Sequence, residues 1–163
     1  MCSVSIIYMP VQSLKFWVAV LYAAIVAGIV STIVQLLLWW AFWDALPGIL
    51  YRDARFAAAI IMGQEALPPP ETFDWQVMFI ATGIHFILSI VYVIMLSQLI
   101  DRLRLKSSLI MGGLYGLALF TINMYGFVIL LPWFVETRDW ITVVAHIIFG
   151  VSAAWVYKAL SIS

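Results

Sequence analysis

The sequence predicts an all-α membrane protein, in which four transmembrane helices form one bundle and a short extra helix lies at the outer surface. Hydrophobic residues make up 66% of the 163 residues and charged residues only 10%, against roughly 45–50% and about 25% in soluble domains. Four stretches reach the approximately 20 apolar residues that a spanning helix needs. An internal similarity further predicts that the bundle is built from two similar helical hairpins.

The predicted spans lie at about residues 16–43, 76–98, 109–131 and 140–160 of a single domain covering 1–163. The first is long enough to tilt or to extend into the interface. The outer loop, residues 44–75, is the only long connection. Its apolar run, which ends at Gly63, is too short to span and predicts a surface helix with Asp53 as N-cap.

Basic residues set the predicted orientation. Both termini are expected on the inner side of the membrane, because inner segments of membrane proteins are enriched in lysine and arginine. Five of the eight basic residues then lie inside: Lys15, Arg102, Arg104, Lys106 and Lys158.

Charge and cysteine content exclude several classes of function. The formal net charge is zero, so no basic surface is available to bind nucleic acid. The single cysteine, Cys2, excludes an internal disulfide and a multi-cysteine metal site. Cys2 does not follow an apolar segment with a small-residue cleavage site, so it is not a lipoprotein-type cysteine.

Two segments of the chain resemble each other. Gly28 and Gln35 have the same spacing as Gly116 and Asn123, and both segments continue into Leu-Pro and then Arg-Asp. Two hairpins of equal orientation would be related by an axis along the membrane normal, as in some transporters. The similarity therefore predicts an internal duplication.

Each span carries small or polar residues at helical spacing, which places them on one face. Such faces allow close helix packing and hydrogen bonds between helices, so we expect them to point inward. The four faces comprise Ala24, Gly28, Ser31 and Gln35; Thr82, His85, Ser89 and Tyr92; Gly112, Gly116 and Asn123; and Thr142, His146, Gly150, Ala153 and Tyr157.

Four of these residues form the candidate intramembrane site. A rise of ~1.5 Å per residue places Gln35, His85, Asn123 and His146 about 10–16 Å below the outer ends of their spans. They are thus expected to share one polar layer. Ionisable residues within a span are functional candidates by default.

Four interpretations of this layer remain open. The histidines can be neutral and purely structural, or the layer can handle protons or a solute. A b-type haem clamped by two imidazoles is a third interpretation, although the two histidines differ in depth by about one helical turn. A metal site is the fourth, and two histidines without a carboxylate are an incomplete ligand set.

The outer surface carries a second set of candidates. Its charged residues are expected to pair between the hairpins or to dock a partner, whereas exposed pairs contribute little stability. The set comprises Arg52, Asp53, Arg55, Arg138 and Asp139.

Several motifs spread over most of the chain carry a resemblance to known proteins. RDARFAAAIIMG, LPPPETFDW, INMYGF with PWF, and RDWITVVAHIIFG resemble a group of small, largely uncharacterised four-span bacterial inner-membrane proteins. The resemblance implies no catalytic residues. Some such proteins carry transporter-like labels, including sodium:proline symporter, but four spans without a broken helix are too few for that architecture.

The sequence therefore predicts a membrane protein that is not an enzyme and needs no cofactor. Its leading function is an accessory or partner-binding subunit that contacts lipid and either a protein partner or further copies of itself. The alternative is a small transporter or channel that uses the layer of His85, His146, Gln35 and Asn123. The third possibility is a haem-bearing electron-transfer protein.

Overall fold

A computed structural model describes residues 14–161, and within this range the chain forms helices, turns and short connections without a strand. Cys2 lies outside the described residues. The five α-helices are α1 (Leu14–Trp43), α2 (Gly48–Met62), α3 (Trp75–Ile100), α4 (Leu105–Thr121) and α5 (Trp140–Ser161). Four candidate spans are long and apolar enough to cross a membrane: Leu14–Trp43, Trp75–Ile100, Leu105–Ile129 and Trp140–Ser161. The chain is therefore an integral membrane protein, as the sequence predicted.

The bundle has two ends, which we name by their contents. The α2 end carries α2, the connection to α3 and the connection to α5. The turn end carries the short turn between α3 and α4 at residues 101–104. Helix α5 packs along both α1 and α4, and α3 packs on α1 and α2, whereas α3 and α4 meet at few positions.

Glycines allow the closest helix contact, between α4 and α5. A Cβ at Gly112 would overlap the carbonyl oxygen of Gly150, and a Cβ at Gly116 would overlap that of His146. The two backbones therefore touch, which is the role of small residues in membrane helix packing. In the other hairpin, a Cβ at Gly28 would lie 3.0 Å from Nε2 of His85. The two contacts differ in kind, because Gly116 meets the His146 backbone and Gly28 meets the His85 side chain, and the internal duplication stays a prediction.

The third span is not a continuous α-helix, contrary to expectation. Its α-helix ends at Thr121, a π-helical turn covers Ile122–Gly126, and a 3-10 turn covers Phe127–Ile129. Helix α4 alone would extend about 25 Å, less than the ~30 Å of hydrocarbon. Irregular backbone at membrane depth needs partners from the protein. Arg138 supplies one by donating from Nε to the Met124 carbonyl over 2.6 Å.

Helix α2 begins earlier than predicted. It starts at Gly48, and backbone bonds from Ile49 to Ala45 and from Tyr51 to Pro47 wind its first turn. Asp53 therefore lies inside the helix and is not its N-cap. The buried face of α2 starts at Ile49, so apolar packing, and not the carboxylate, determines where the helix begins. Gly63 ends the helix at φ +83°, a conformation that favours glycine.

Candidate functional site

A cavity lined by both polar and apolar residues lies between the helices in the half of the bundle nearer α2. Its volume is about 220 Å³. The four residues predicted to share a layer, Gln35, His85, Asn123 and His146, all line it. Five further polar residues contribute to the site: Ser31, Thr32, Ser89 and Tyr92 line the cavity, and Thr142 bonds to Gln35.

His146 is held in one tautomer by its two neighbours. Its Nδ1 lies 2.8 Å from the Thr142 carbonyl, which can only accept, so we assign the proton to Nδ1. Nε2 is then an acceptor, and it faces the Asn123 amide nitrogen at 3.4 Å. Asn123 accepts from the Tyr92 hydroxyl at 2.8 Å, which fits this amide orientation. The imidazole is therefore neutral.

This network continues to the α2 end of the bundle. The Thr142 hydroxyl donates to Asp139 over 3.0 Å, and the Thr142 amide donates to the same carboxylate over 2.9 Å. Asp139 thus acts as the N-cap of α5. A continuous series of hydrogen bonds therefore joins Asp139 to Tyr92 through Thr142, His146 and Asn123.

His85 contacts α1 from the opposite wall. Its Nε2 lies 3.4 Å from the Gly28 carbonyl and 3.5 Å from the Thr32 hydroxyl. The carbonyl can only accept, so Nε2 carries a proton. We assign the neutral imidazole, since a buried charge without a partner is costly. Ser89 donates to the His85 carbonyl over 2.8 Å. The remaining nitrogen, Nδ1, is then a free acceptor by this assignment.

Apart from the bond from Tyr92 to Asn123 at 2.8 Å, the polar bonds between helices across the cavity are weak. Gln35 to Thr142, His85 to Thr32, His85 to Gly28 and Asn123 to His146 all measure 3.4–3.5 Å. Good bonds of these types measure about 2.7–3.2 Å. Lipid offers no hydrogen-bond partner, so the capacity left on these groups must be used inside the cavity. A volume of about 220 Å³ has room for roughly seven waters at ~30 Å³ each, or for a small polar molecule.

The cavity does not continue to the turn end. Tyr115 donates to the Tyr92 carbonyl over 2.8 Å and so joins α4 to α3 below Asn123. Beyond this point the core consists of fully buried small and aliphatic residues, including Ala23, Val93 and Leu96. At the turn itself Lys158, which is 5% exposed, donates to the Asp101 carbonyl over 3.0 Å. The described residues therefore form a pocket and not a continuous pore.

The five charged residues predicted for the outer surface have partners within the chain. Arg52 pairs with its neighbour Asp53 at 2.8 Å. This ion pair therefore lies within α2 and does not join the two hairpins, contrary to expectation. Arg138 lies over the Tyr125 ring at 4.3 Å in addition to bonding Met124. Burial raises the pKa of Asp53 to about 6, although Arg52 opposes the shift and Asp139 and Glu71 add to it.

Arg55 is buried, with 8% of its surface exposed. It donates to the carbonyls of Ala66 and Thr72 at 3.4 and 3.3 Å, and its Nε has no partner among residues 14–161. Arg55 therefore fastens α2 to the connection that leads into α3. It is not available as a docking residue in this arrangement.

Of the residues predicted to lie on the four inward faces, all but Thr82 are buried or half-buried. Thr82 is exposed on a span and faces away from the bundle. Two residues of the site were missed, Thr32 and Tyr115. Both were detectable, because Thr32 follows Gly28 by four residues and Tyr115 follows Gly112 by three, the spacings that share a helix face.

Neither the haem nor the metal interpretation gains support from this geometry. Both Nε2 atoms, which a haem iron would need, face protein partners. The cavity is also smaller than the 300–1,000 Å³ typical of ligand pockets. Within the described chain no group of three or more His, Cys, Asp or Glu side chains is placed to hold a metal ion.

Comparison with known proteins gave no match to a family model, to a curated protein or to a solved structure. The site must therefore be interpreted from its own chemistry.

Proposed function

We propose that the protein is a non-catalytic ligand-binding membrane protein whose site is the cavity around His85 and His146. The observation that carries the proposal is hydrogen-bonding capacity left unused in a half-open cavity between the helices. Neutral imidazole, amide and hydroxyl groups line the cavity, and no charged residue does. Such a surface favours an uncharged polar ligand, because a buried charge without a partner is costly.

This proposal develops the transporter alternative, with the α2 end outside as the positive-inside rule indicates. A channel is the less favoured form, since the turn half of the bundle is packed with buried apolar residues. In this proposed orientation the cavity lies in the outer half of a bacterial inner membrane. A ligand would therefore reach the cavity from the outer aqueous side or from the outer leaflet of the membrane.

The accessory-subunit role has weaker support. Each of the five charged residues predicted to dock a partner makes a contact within the chain. A partner or a second copy would therefore bind a mainly apolar surface. A native-size measurement in mild detergent tests this role, and a chain that is always monomeric contradicts it.

Cavity-filling variants test the binding proposal. Ala145→Leu and Ala57→Leu add bulk to opposite walls of the cavity, whereas Ala118→Leu adds the same bulk on the exposed face of α4. Compounds that copurify in mild detergent are extracted and quantified by mass spectrometry. We expect one compound to copurify in near-stoichiometric amount with the wild type and with Ala118→Leu. The amount of this compound should be at least tenfold lower in both cavity-filling variants. The absence of any such compound, or equal retention in all four proteins, contradicts the proposal.

A further inference from the structure

The rim of the cavity indicates where a ligand enters. Only two of the lining residues are exposed, Ile60 at 41% and Leu88 at 38%, and both are aliphatic. Behind them, polar side chains such as His85 and Asn123 lie among buried apolar ones such as Leu119. The site therefore has an apolar entrance and a mixed interior that holds the hydrogen-bonding groups.

Leu88 lies at the centre of its span. It follows the first residue of α3, Trp75, by thirteen positions and precedes the last, Ile100, by twelve, so each end is about 18–20 Å away along the helix. The hydrocarbon core is ~30 Å thick. An exposed side chain at this depth contacts acyl chains and not headgroups or water.

The entrance lies where α2 and α3 reach the surface. Its two exposed residues are Ile60 of α2 and Leu88 of α3. On the other side of Leu88, α3 makes few contacts with α4. The two are joined mainly by side chains, because the Tyr115 hydroxyl donates to the Tyr92 carbonyl and the Tyr92 hydroxyl donates to Asn123 of the π-helical turn.

We propose that the ligand enters sideways from the bilayer and is an uncharged amphipathic lipid whose head group carries carbonyl or hydroxyl oxygens. This inference rests on the proposed function and specifies its ligand. The Gln35 amide, the second Asn123 N–H and the Thr32 hydroxyl are donors for such oxygens, and Nδ1 of His85 accepts from a hydroxyl. The apolar body of the ligand lies past Ile60 and Leu88 among the acyl chains.

Paired rim substitutions test the entrance. Leu88→Trp and Ile60→Trp narrow it, while the neighbouring Ile87→Trp and Ile61→Trp place the same ring on exposed positions, 62% and 70% exposed, that do not line the cavity. Each protein is reconstituted in phosphatidylcholine nanodiscs. Its Tm is measured with decylbenzoquinone, with dioctanoylglycerol, with water-soluble glycerol, or without additive.

We expect at least one lipid-soluble probe, at tenfold its Kd, to raise the Tm of the wild type and of both control variants by about 3 °C or more. Leu88→Trp and Ile60→Trp should lose this rise. The two probes distinguish a quinone head group from a glyceride. Stabilisation by glycerol alone, or a lipid-soluble rise that survives both rim substitutions, overturns the lateral entrance.

The two proposals fail separately. If a compound copurifies with the wild type but neither lipid-soluble probe raises its Tm, the inference about the ligand is wrong and the binding function stands. If no compound copurifies and no probe stabilises the protein, the binding function itself is wrong.

Discussion

The backbone contact between α4 and α5 yields the sharpest prediction about stability, through Gly116→Ala. A Cβ at this position overlaps the His146 carbonyl oxygen and lies 2.8 Å from two further backbone atoms. Backbone atoms cannot rotate away, so the two helices must separate. Overpacking typically costs 1–3 kcal/mol, and alanine recovers about 1 kcal/mol of helix propensity. We therefore expect a net loss of up to about 2 kcal/mol, near the upper end of this range because the overlap is with rigid backbone.

Gly113→Ala is the matched control on the same helix. Its Cβ meets only the Val151 side chain at 3.5 Å and Ile147 at 4.0 Å, which are ordinary contacts. Helix propensity should therefore dominate and stabilise the protein by up to about 1 kcal/mol. Unfolding of both variants is followed by circular dichroism during titration of SDS into mild-detergent micelles. Equal stability of Gly116→Ala and Gly113→Ala would refute the argument from direct backbone contact.

Two further predictions concern the α2 end. The folded-state pKa of Asp53 is raised to about 6, mainly by burial, from 3.8, so its contribution to stability is present below about pH 4 and is lost as the pH rises through about 6. The loss is at most about 3 kcal/mol. Asp53→Asn should reduce the decrease in unfolding free energy that is measured as the pH rises from 4 to 7. An unchanged pH dependence in this variant would show that other groups cause the decrease. Arg55→Met should speed hydrogen exchange at the hydrogen-bonded amides of Ala66 and Leu67 about tenfold or more, whereas the control Arg52→Met should not. Equal protection of these amides in both variants would show that Arg55 does not fasten α2 to the connection that leads into α3.

The spans were predictable because apolar length in a membrane protein reflects the thickness of the bilayer. The meeting of Gln35, His85, Asn123 and His146 was predictable for a related reason. Antiparallel spans of similar length place residues at equal depth side by side, and polar residues turn away from lipid. Depth and helical spacing were sufficient for this part of the site.

Other features depend on tertiary contacts that composition does not reveal. The π-helical turn at Asn123 is stabilised by Arg138, fourteen residues from Met124, and no local pattern indicates that bond. The first turn of α2 was missed because Asp53 was interpreted by residue type, although its partner is Arg52. The small number of contacts between α3 and α4 reflects the packing of α3 on α1 and α2 and of α4 on α5, which a single sequence does not show.

The uneven packing of the bundle has a consequence for its motions. Hydrogen exchange in proteins reports local openings that are far cheaper than global unfolding, and they occur where buried apolar contacts are few. In this chain the turn half is close-packed, whereas the α2 half has long hydrogen bonds and a cavity. We therefore expect amides near Asn123 to exchange through local opening, while those near Leu96 exchange only with the whole protein. A bound molecule would then act by damping fluctuations of one half of the bundle, without requiring the other half to rearrange.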